Sequence, residues 1–365
     1  MLFRSQIFVR YHEKTFSFLL VPTNLTNEKK CGTLIDRINR MDVKTMQTVL
    51  QNLSFSLNAT IPVFLMMVFG GLMKKVNLLD DHTTGKLNQF VFKALLPALL
   101  FMDLSQADFR SVWDGKFVLF CFCATFLSIG IAFLLSLPRK SWSERGEIIQ
   151  ASYRSSAAIL GIAFVNNIYG HATMAALMIV GTVPLYNVAA VLILSLTAPH
   201  DGEKPSTRKL LLRTLRDVAT NPIILGILAG MLWSVLKIPQ PVILQKSVSY
   251  LGNMATPLAL IALGASFQLK SAKGKLGLTL GISAVKLFLF CGLFLPAAVW
   301  LGFRTEKLIA ILIMLGSATT CSCFVMAKNM KHEGTITACA VMMTTLLSAF
   351  SLTMWLFVLK SLGYI

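Results

Sequence analysis

Three ionisable side chains, Lys93, Arg154 and Lys286, lie inside long apolar stretches of the chain, and all three are basic. Taking a charge into hydrocarbon is costly, so such a residue is a functional candidate by default. Asp103 stands at the end of its stretch, and between Asp217 and Glu306 there is no acid at all. Proton relays and sodium sites generally use buried carboxylates, whereas positive groups without buried counter-ions suit an anion. The competing explanation is snorkelling, in which the charged head reaches the lipid headgroups along its own stem. It weighs evenly against function for Arg154, near the end of its stretch, outweighs it for Lys286, and counts less for Lys93, which lies four residues before Pro97.

Two segments are small and polar within otherwise apolar surroundings. One runs Arg154-Ser155-Ser156-Ala157-Ala158-Ile159-Leu160-Gly161-Ile162-Ala163, with Asn166 and Asn167 following; the other runs Gly316-Ser317-Ala318-Thr319-Thr320-Cys321-Ser322. Interrupted helices at such places would aim half-helix N-termini, with their positive dipole ends, at an anion. Close packing of helices through small residues is compatible with the same pattern. Asn187, after Pro184 and Tyr186, and Asn253, before Pro257, either reach a substrate or satisfy carbonyls freed by the prolines. The candidate substrate contacts are therefore Lys93, Arg154, Ser155, Ser156, Asn187, Asn253, Ser317 and Thr319. The candidate breaks or hinges are Pro97, Gly161, Ala163, Pro257, Gly316 and Ala318.

These residues need elements to hold them, and composition says which. The chain has 365 residues, of which 55% are hydrophobic and 14% charged, against roughly 25% charged in soluble domains. Mean hydropathy is +0.69. A helix needs about 20 mostly apolar residues to cross the hydrocarbon. That ruler predicts ten spans: 57–73, 86–102, 117–137, 148–169, 174–197, 219–237, 247–268, 276–301, 306–328 and 335–360. The expected fold class is an all-α integral membrane protein. Residues 1–45 lack a sustained apolar run and read as a disordered extension or as a start assigned too far upstream. The net charge of +18 is spread in short clusters between spans, which is the pattern of loops facing an anionic leaflet rather than the stripe of a nucleic-acid binder. Cys321 and Cys323 have no His or acid nearby within their segment and read as small packing residues, not metal ligands. The five His fall in the extension or in loops, so no enzyme, metal or cofactor is expected.

An internal repeat organises the spans. Pro62, Gly70 and Pro97 recur as Pro222, Gly230 and Pro257 at an offset of 160, and Leu65, Leu72 and Leu100 recur as Leu225, Leu232 and Leu260. The expected layout is a first five-helix repeat over 46–197, a cytoplasmic linker over 198–218 and a second repeat over 219–365. Five is odd, so the second half enters the membrane from the opposite side. Such inverted repeats build transporters with a site near the midplane. Loops after the odd-numbered spans carry sixteen Lys and Arg against eight on the other side from Lys44 onward. That imbalance puts the linker in the cytoplasm and both termini outside the cell membrane.

At these residues the sequence resembles the auxin efflux carrier family, which includes plant auxin exporters and bacterial malate and malonate permeases. The resemblance rests on Ile61-Pro62-Val63-Phe64 with Gly70, Leu96-Pro97-Ala98-Leu99-Leu100-Phe101, Arg154-Ser155-Ser156 with Gly161, and Pro184, Tyr186 and Asn187. Asn221-Pro222 with Gly230, Thr256-Pro257-Leu258-Ala259-Leu260, Lys286-Leu287 and Phe324-Val325-Met326-Ala327 extend it over about 46–360. It implies a 5+5 inverted repeat with helices 4 and 9 unwound where they cross, and transport of small organic anions such as dicarboxylates without a cofactor. A sodium-coupled organic-anion symporter of the bile-acid type is the alternative. The partners expected are the anion and the bilayer, with a homodimer as the assembly to test. The family usually has Pro where Ala163 and Ala318 stand and often Asn where Ser156 stands, so the substrate contacts are expected to differ.

Overall fold

The computed structural model describes residues 61–105, 114–157, 173–199, 219–267 and 274–365, with a few isolated positions between them. The extension 1–45, most of the linker and Ala163 lie outside the described residues. Among the described residues there is no strand. Helix α1 covers 61–75. Then come α2 (Asp81–Phe90), a π-helical turn (Val91–Leu95) and α3 (Leu96–Ser105). Helices α4 (Gly115–Ser136), α5 (Trp142–Tyr153) and α6 (Thr173–Thr197) follow. Beyond the linker lie α7 (Pro222–Val235), α8 (Val242–Ser266) and α9 (Leu276–Ala284). A second π-helical turn (Val285–Leu289) leads into α10 (Phe290–Trp300). The chain ends with α11 (Thr305–Gly316), α12 (Ser322–Asn329) and α13 (Thr335–Ser361).

Six continuous helical stretches among these are long and apolar enough to cross a membrane: Asp81–Ser105, Gly115–Ser136, Thr173–Thr197, Val242–Ser266, Leu276–Trp300 and Thr335–Ser361. Helix α7 is apolar but shorter. Helix α4 shows why the solvent must be lipid. Beyond Phe117 its inward face is small or polar, with Cys121, Ala124, Thr125, Ser128 and Ala132 buried, while Leu119, Phe122, Phe126 and Phe133 are exposed. A water-soluble helix has the opposite polarity; small residues inside and large apolar ones outside are what packing in hydrocarbon requires.

Prolines act locally in two ways. Pro97 has no N–H to offer the carbonyl of Lys93 and its ring would crowd it. The π-helical turn Val91–Leu95 ends just before this point, where the wider turn accommodates the proline within a stretch that stays helical. Pro257 lies inside the unbroken helix α8. Neither proline interrupts its helix, which corrects the expectation of a break at Pro97 and Pro257.

The offset of 160 reappears in packing. Gly70 of α1 lies against the backbone of Ile261 in α8, where an added Cβ would sit 2.1 Å from the carbonyl oxygen, and Gly230 of α7 lies against Phe101 of α3, where the same atom would sit 2.9 Å away. Residues 70 and 230, and residues 101 and 261, are each 160 apart, so the two contacts share one register. Exposure repeats too: Leu65 and Leu225 are 57% and 52% exposed, while Leu100 and Leu260 are 7% and 3% exposed. Helix α1 therefore packs on α8, and α7 packs on α3.

At the edge of the bundle Asp114 caps α4 through the Phe117 N–H at 3.0 Å and pairs with Lys307. The lysine contact, followed by the backbone N–H, holds the Asp114 carboxyl below its usual range. Because the folded-state value is depressed, the stabilisation is complete above the ordinary carboxylate range and is lost as pH falls through the lowered value. Asp114→Asn, which keeps a capping side chain, is expected to lower stability by about 0.5–1 kcal/mol at neutral pH and by nothing in strong acid. Melting temperatures of the two proteins across pH check this.

Candidate functional site

Two helical elements are interrupted, and the interruptions meet. Helix α5 stops at Tyr153, and Arg154, Ser155 and Ser156 are extended or irregular before helical structure resumes at Ala157. Helix α11 stops at Gly316, and Ser317 to Thr320 separate it from α12. The backbone N–H of Ser156 donates to the carbonyl of Ala318 at 2.9 Å. Around that bond the Thr319 hydroxyl donates to Ala151 O at 2.8 Å, the Gln150 amide donates to Cys323 O at 3.0 Å, and the Ser155 hydroxyl donates to Met314 O. The Tyr186 hydroxyl also donates to Met314 O, at 3.2 Å, and the Tyr153 hydroxyl donates to Tyr186 O at 2.9 Å. A broken helix leaves carbonyls without partners at its C-terminal end. Ala151 O and Met314 O, in the last turns of α5 and α11, receive the Thr319, Ser155 and Tyr186 hydroxyls in place of helical N–H groups.

A cavity opens beside the interruptions. Arg154, Ser155, Ser156, Ala157, Asn187, Tyr186, Thr320, Cys321 and Ser322 line it, with Leu96, Leu99, Leu100, Asp103 and Thr256 from α3 and α8 among its other walls. Its empty volume is about 600 Å³, a figure that includes the open mouth. Arg154 is 3% exposed. Its Nη2 donates to Asn187 Oδ1 at 2.8 Å and to Ser322 Oγ at 3.0 Å, its Nη1 is directed at Met326 Sδ, and its Nε has no hydrogen-bond partner. None of these partners is a carboxylate. The residues around the N-terminal end of α12 (Thr320, Cys321 and Ser322) face the same cavity, and the partial positive charge of that helix end adds to the guanidinium. The arrangement is a buried positive centre with an unmet donor and neutral hydrogen-bond partners, in a cavity whose wall also carries the Asp103 carboxylate.

The residues expected from the sequence divide into three groups. Arg154, Ser155, Ser156 and Asn187 line the cavity. Ser317 and Thr319 are buried behind it: Thr319 N–H donates to Thr344 Oγ1 at 2.9 Å, and Ser317 Oγ has no partner. Lys93 and Asn253 are exposed on their helices and do not line the cavity, although Thr256, one turn beyond Asn253, does. Gly316 and Ala318 sit at the second interruption. Gly161 itself is helical, its missing Cβ leaving room for Met178, while 158–160, 162 and Ala163 lie outside the described residues; the described interruption is at 154–156.

Two buried groups were not anticipated. Glu147 is 2% exposed and accepts from Gly334 N–H at 2.8 Å and Thr337 N–H at 3.1 Å, holding the N-terminal end of α13. It directly precedes the apolar run Ile148-Ile149, where it reads as a loop residue just outside a span. His332, also expected in a loop, is 4% exposed, with Nε2 2.9 Å from Leu194 O and Nδ1 2.9 Å from Ser143 Oγ. Both tie α5 to the segment that follows α12. No signal in a single sequence pairs residues so far apart.

Residues 55–356 match the family described as membrane transport protein. A protein of Rhizobium meliloti (strain 1021) named "Putative malonate transporter" is 23% identical over 313 residues, covering 82% of this chain and 95% of that protein. The match spans most of the chain, and the resemblance noted from the sequence runs through the same residues. The chain therefore belongs to the membrane transport protein family, that of the auxin efflux carriers, and is a multi-pass membrane protein.

Proposed function

We propose that this protein is a secondary transporter, a permease for small organic anions such as dicarboxylates, working by alternating access where two broken helices cross. The observation that carries the reading is Arg154: a buried guanidinium lining a cavity, with a free Nε and no carboxylate among its partners. A buried charge left so is stabilised when an anion arrives. Ser155, Ser156 and Asn187 would position the anion, and Ser317 and Thr319 would support the interruption behind it.

The larger design belongs to the same proposal. Ten spans in two inverted halves, 46–197 and 219–365, would rock against each other about the interruptions. The reciprocal glycine contacts and matched exposures at an offset of 160 support it. The membrane would be the cell membrane, with both termini outside and a homodimer as the assembly. The relative's name makes malonate the first acid to try.

Purified protein in proteoliposomes, offered a panel of labelled mono- and dicarboxylates with malonate and malate among them, is expected to carry at least one of them into or out of the vesicle. Absence of flux for every acid in a broad panel would overturn the proposal.

A further inference from the structure

Lys286 lies in the π-helical turn Val285–Leu289 and is 0% exposed. It does not line the cavity. Its Nζ donates to Tyr153 O at 3.2 Å, to Leu315 O at 3.2 Å and to Ser155 Oγ. Tyr153 is the last residue of α5, and Leu315 is in the last turn of α11. An ammonium has three protons and no acceptor, and here there are three acceptors, all neutral. No carboxylate is among its partners. Each helix C-terminus carries roughly half a negative charge, so two of them together match the charge of one ammonium.

The π-helical turn is also tied to its surroundings. Its Leu287 carbonyl accepts from the Trp355 indole N–H of α13 at 3.0 Å, which anchors the turn that bears the lysine. The amine reaches both interruptions from a helix that has none at this point.

In carriers built on discontinuous helices, unwound carbonyls and half-helix C-terminal ends are the groups that coordinate an exchangeable sodium ion or proton. Here those groups are already taken. We propose that the Lys286 ammonium is a resident cation at the junction of the two broken helices, standing where an exchangeable metal cation would bind, so that the carrier works without sodium. Lys286 is then a positioning residue: it holds the Tyr153–Ser155 and Leu315 backbone in place, and through it the adjoining Arg154. Only the flux arm of the test below rests on the transport reading; the melting arm needs no substrate.

The melting temperature of the purified native protein in detergent is measured in sodium chloride, choline chloride and methylammonium chloride at equal ionic strength. The same is done for Lys286→Ala. The native protein is expected to melt at one temperature in all three. Lys286→Ala is expected to melt several degrees lower in choline, and to recover in methylammonium or sodium because a small cation binds only the folded carbonyl cage. Choline is too large to enter, and methanol, neutral and of methylammonium's size, is expected to restore nothing. Stabilisation of the native protein by sodium over choline would overturn the proposal, as would a Lys286→Ala protein that responds to no small cation. Should Lys286→Ala not be recovered folded, the native protein still decides. Its melting, and its flux once an acid is found, are expected to be unchanged when choline replaces sodium, and a loss of flux on that replacement rejects the resident-cation assignment. A panel showing no flux while the melting pattern holds would count against the anion reading alone.

Discussion

Arg154→Gln is expected to reduce carboxylate flux by about 100-fold, with protein yield and melting temperature close to native. The guanidinium supplies the cavity with its charge and its free donor. A hydrogen bond to a charged group contributes about 1.5–3 kcal/mol, and about 1.4 kcal/mol corresponds to tenfold in affinity, so the upper end of that range gives the stated loss. Gln keeps a donor that can reach Asn187 or Ser322, which limits the structural damage. Arg154→Lys is expected to be intermediate. It keeps the charge, but a single ammonium cannot reach Asn187 and Ser322 while also presenting a second nitrogen to a carboxylate. Initial rates against substrate concentration in proteoliposomes check both variants. Flux in Arg154→Gln within a factor of two of native would remove the observation on which the function is argued.

Gly264→Ala is expected to prevent stable folding, with a destabilisation of about 3 kcal/mol or more. The added Cβ would lie 1.8 Å from the Met67 carbonyl oxygen, a backbone atom with no side-chain torsion to relieve it. Helices α1 and α8 would have to separate along the line that also includes Gly70 against Ile261. Gly130→Ala in α4 and Gly292→Ala in α10 are the controls. Nothing lies within 4 Å of either added atom, and alanine favours the helix over glycine by up to about 1 kcal/mol. Size-exclusion profiles and melting curves in detergent distinguish the three. A monodisperse Gly264→Ala protein with native melting would show that α1 and α8 do not approach as closely as described.

The sequence made the helical class and the positions of the long spans legible, because runs of 20 apolar residues have few other physical uses. The expected stretches 117–137, 276–301 and 335–360 fall on Gly115–Ser136, Leu276–Trp300 and Thr335–Ser361. Arg154 was legible for the same reason: a charge in an apolar run stands out. What a single sequence did not carry was direction around each helix. Lys93 lies in a stretch apolar on nearly every face, and the π-helical turn it occupies shifts the residues after it relative to an ideal α-helix, so period-based reasoning could not tell that it points outward. Breaks were expected at Gly161 and Ala163, glycine being the residue that tolerates one; the described interruption lies ahead of them, at Arg154–Ser156, where nothing local demands it. The partners that make it stable, Ala318, Met314 and Lys286, are more than 125 residues away.

The exchanged glycine contacts also bear on how the chain is made. Gly70 emerges from the ribosome about 190 residues before Ile261, the residue whose backbone it was shaped to meet. At 5–20 residues per second that is a wait on the order of 10–40 s. During it the Gly70 face of α1 lacks the α8 backbone it packs on. The close contact of α1 with α8 is therefore among the last parts of the packing to form as the chain is made.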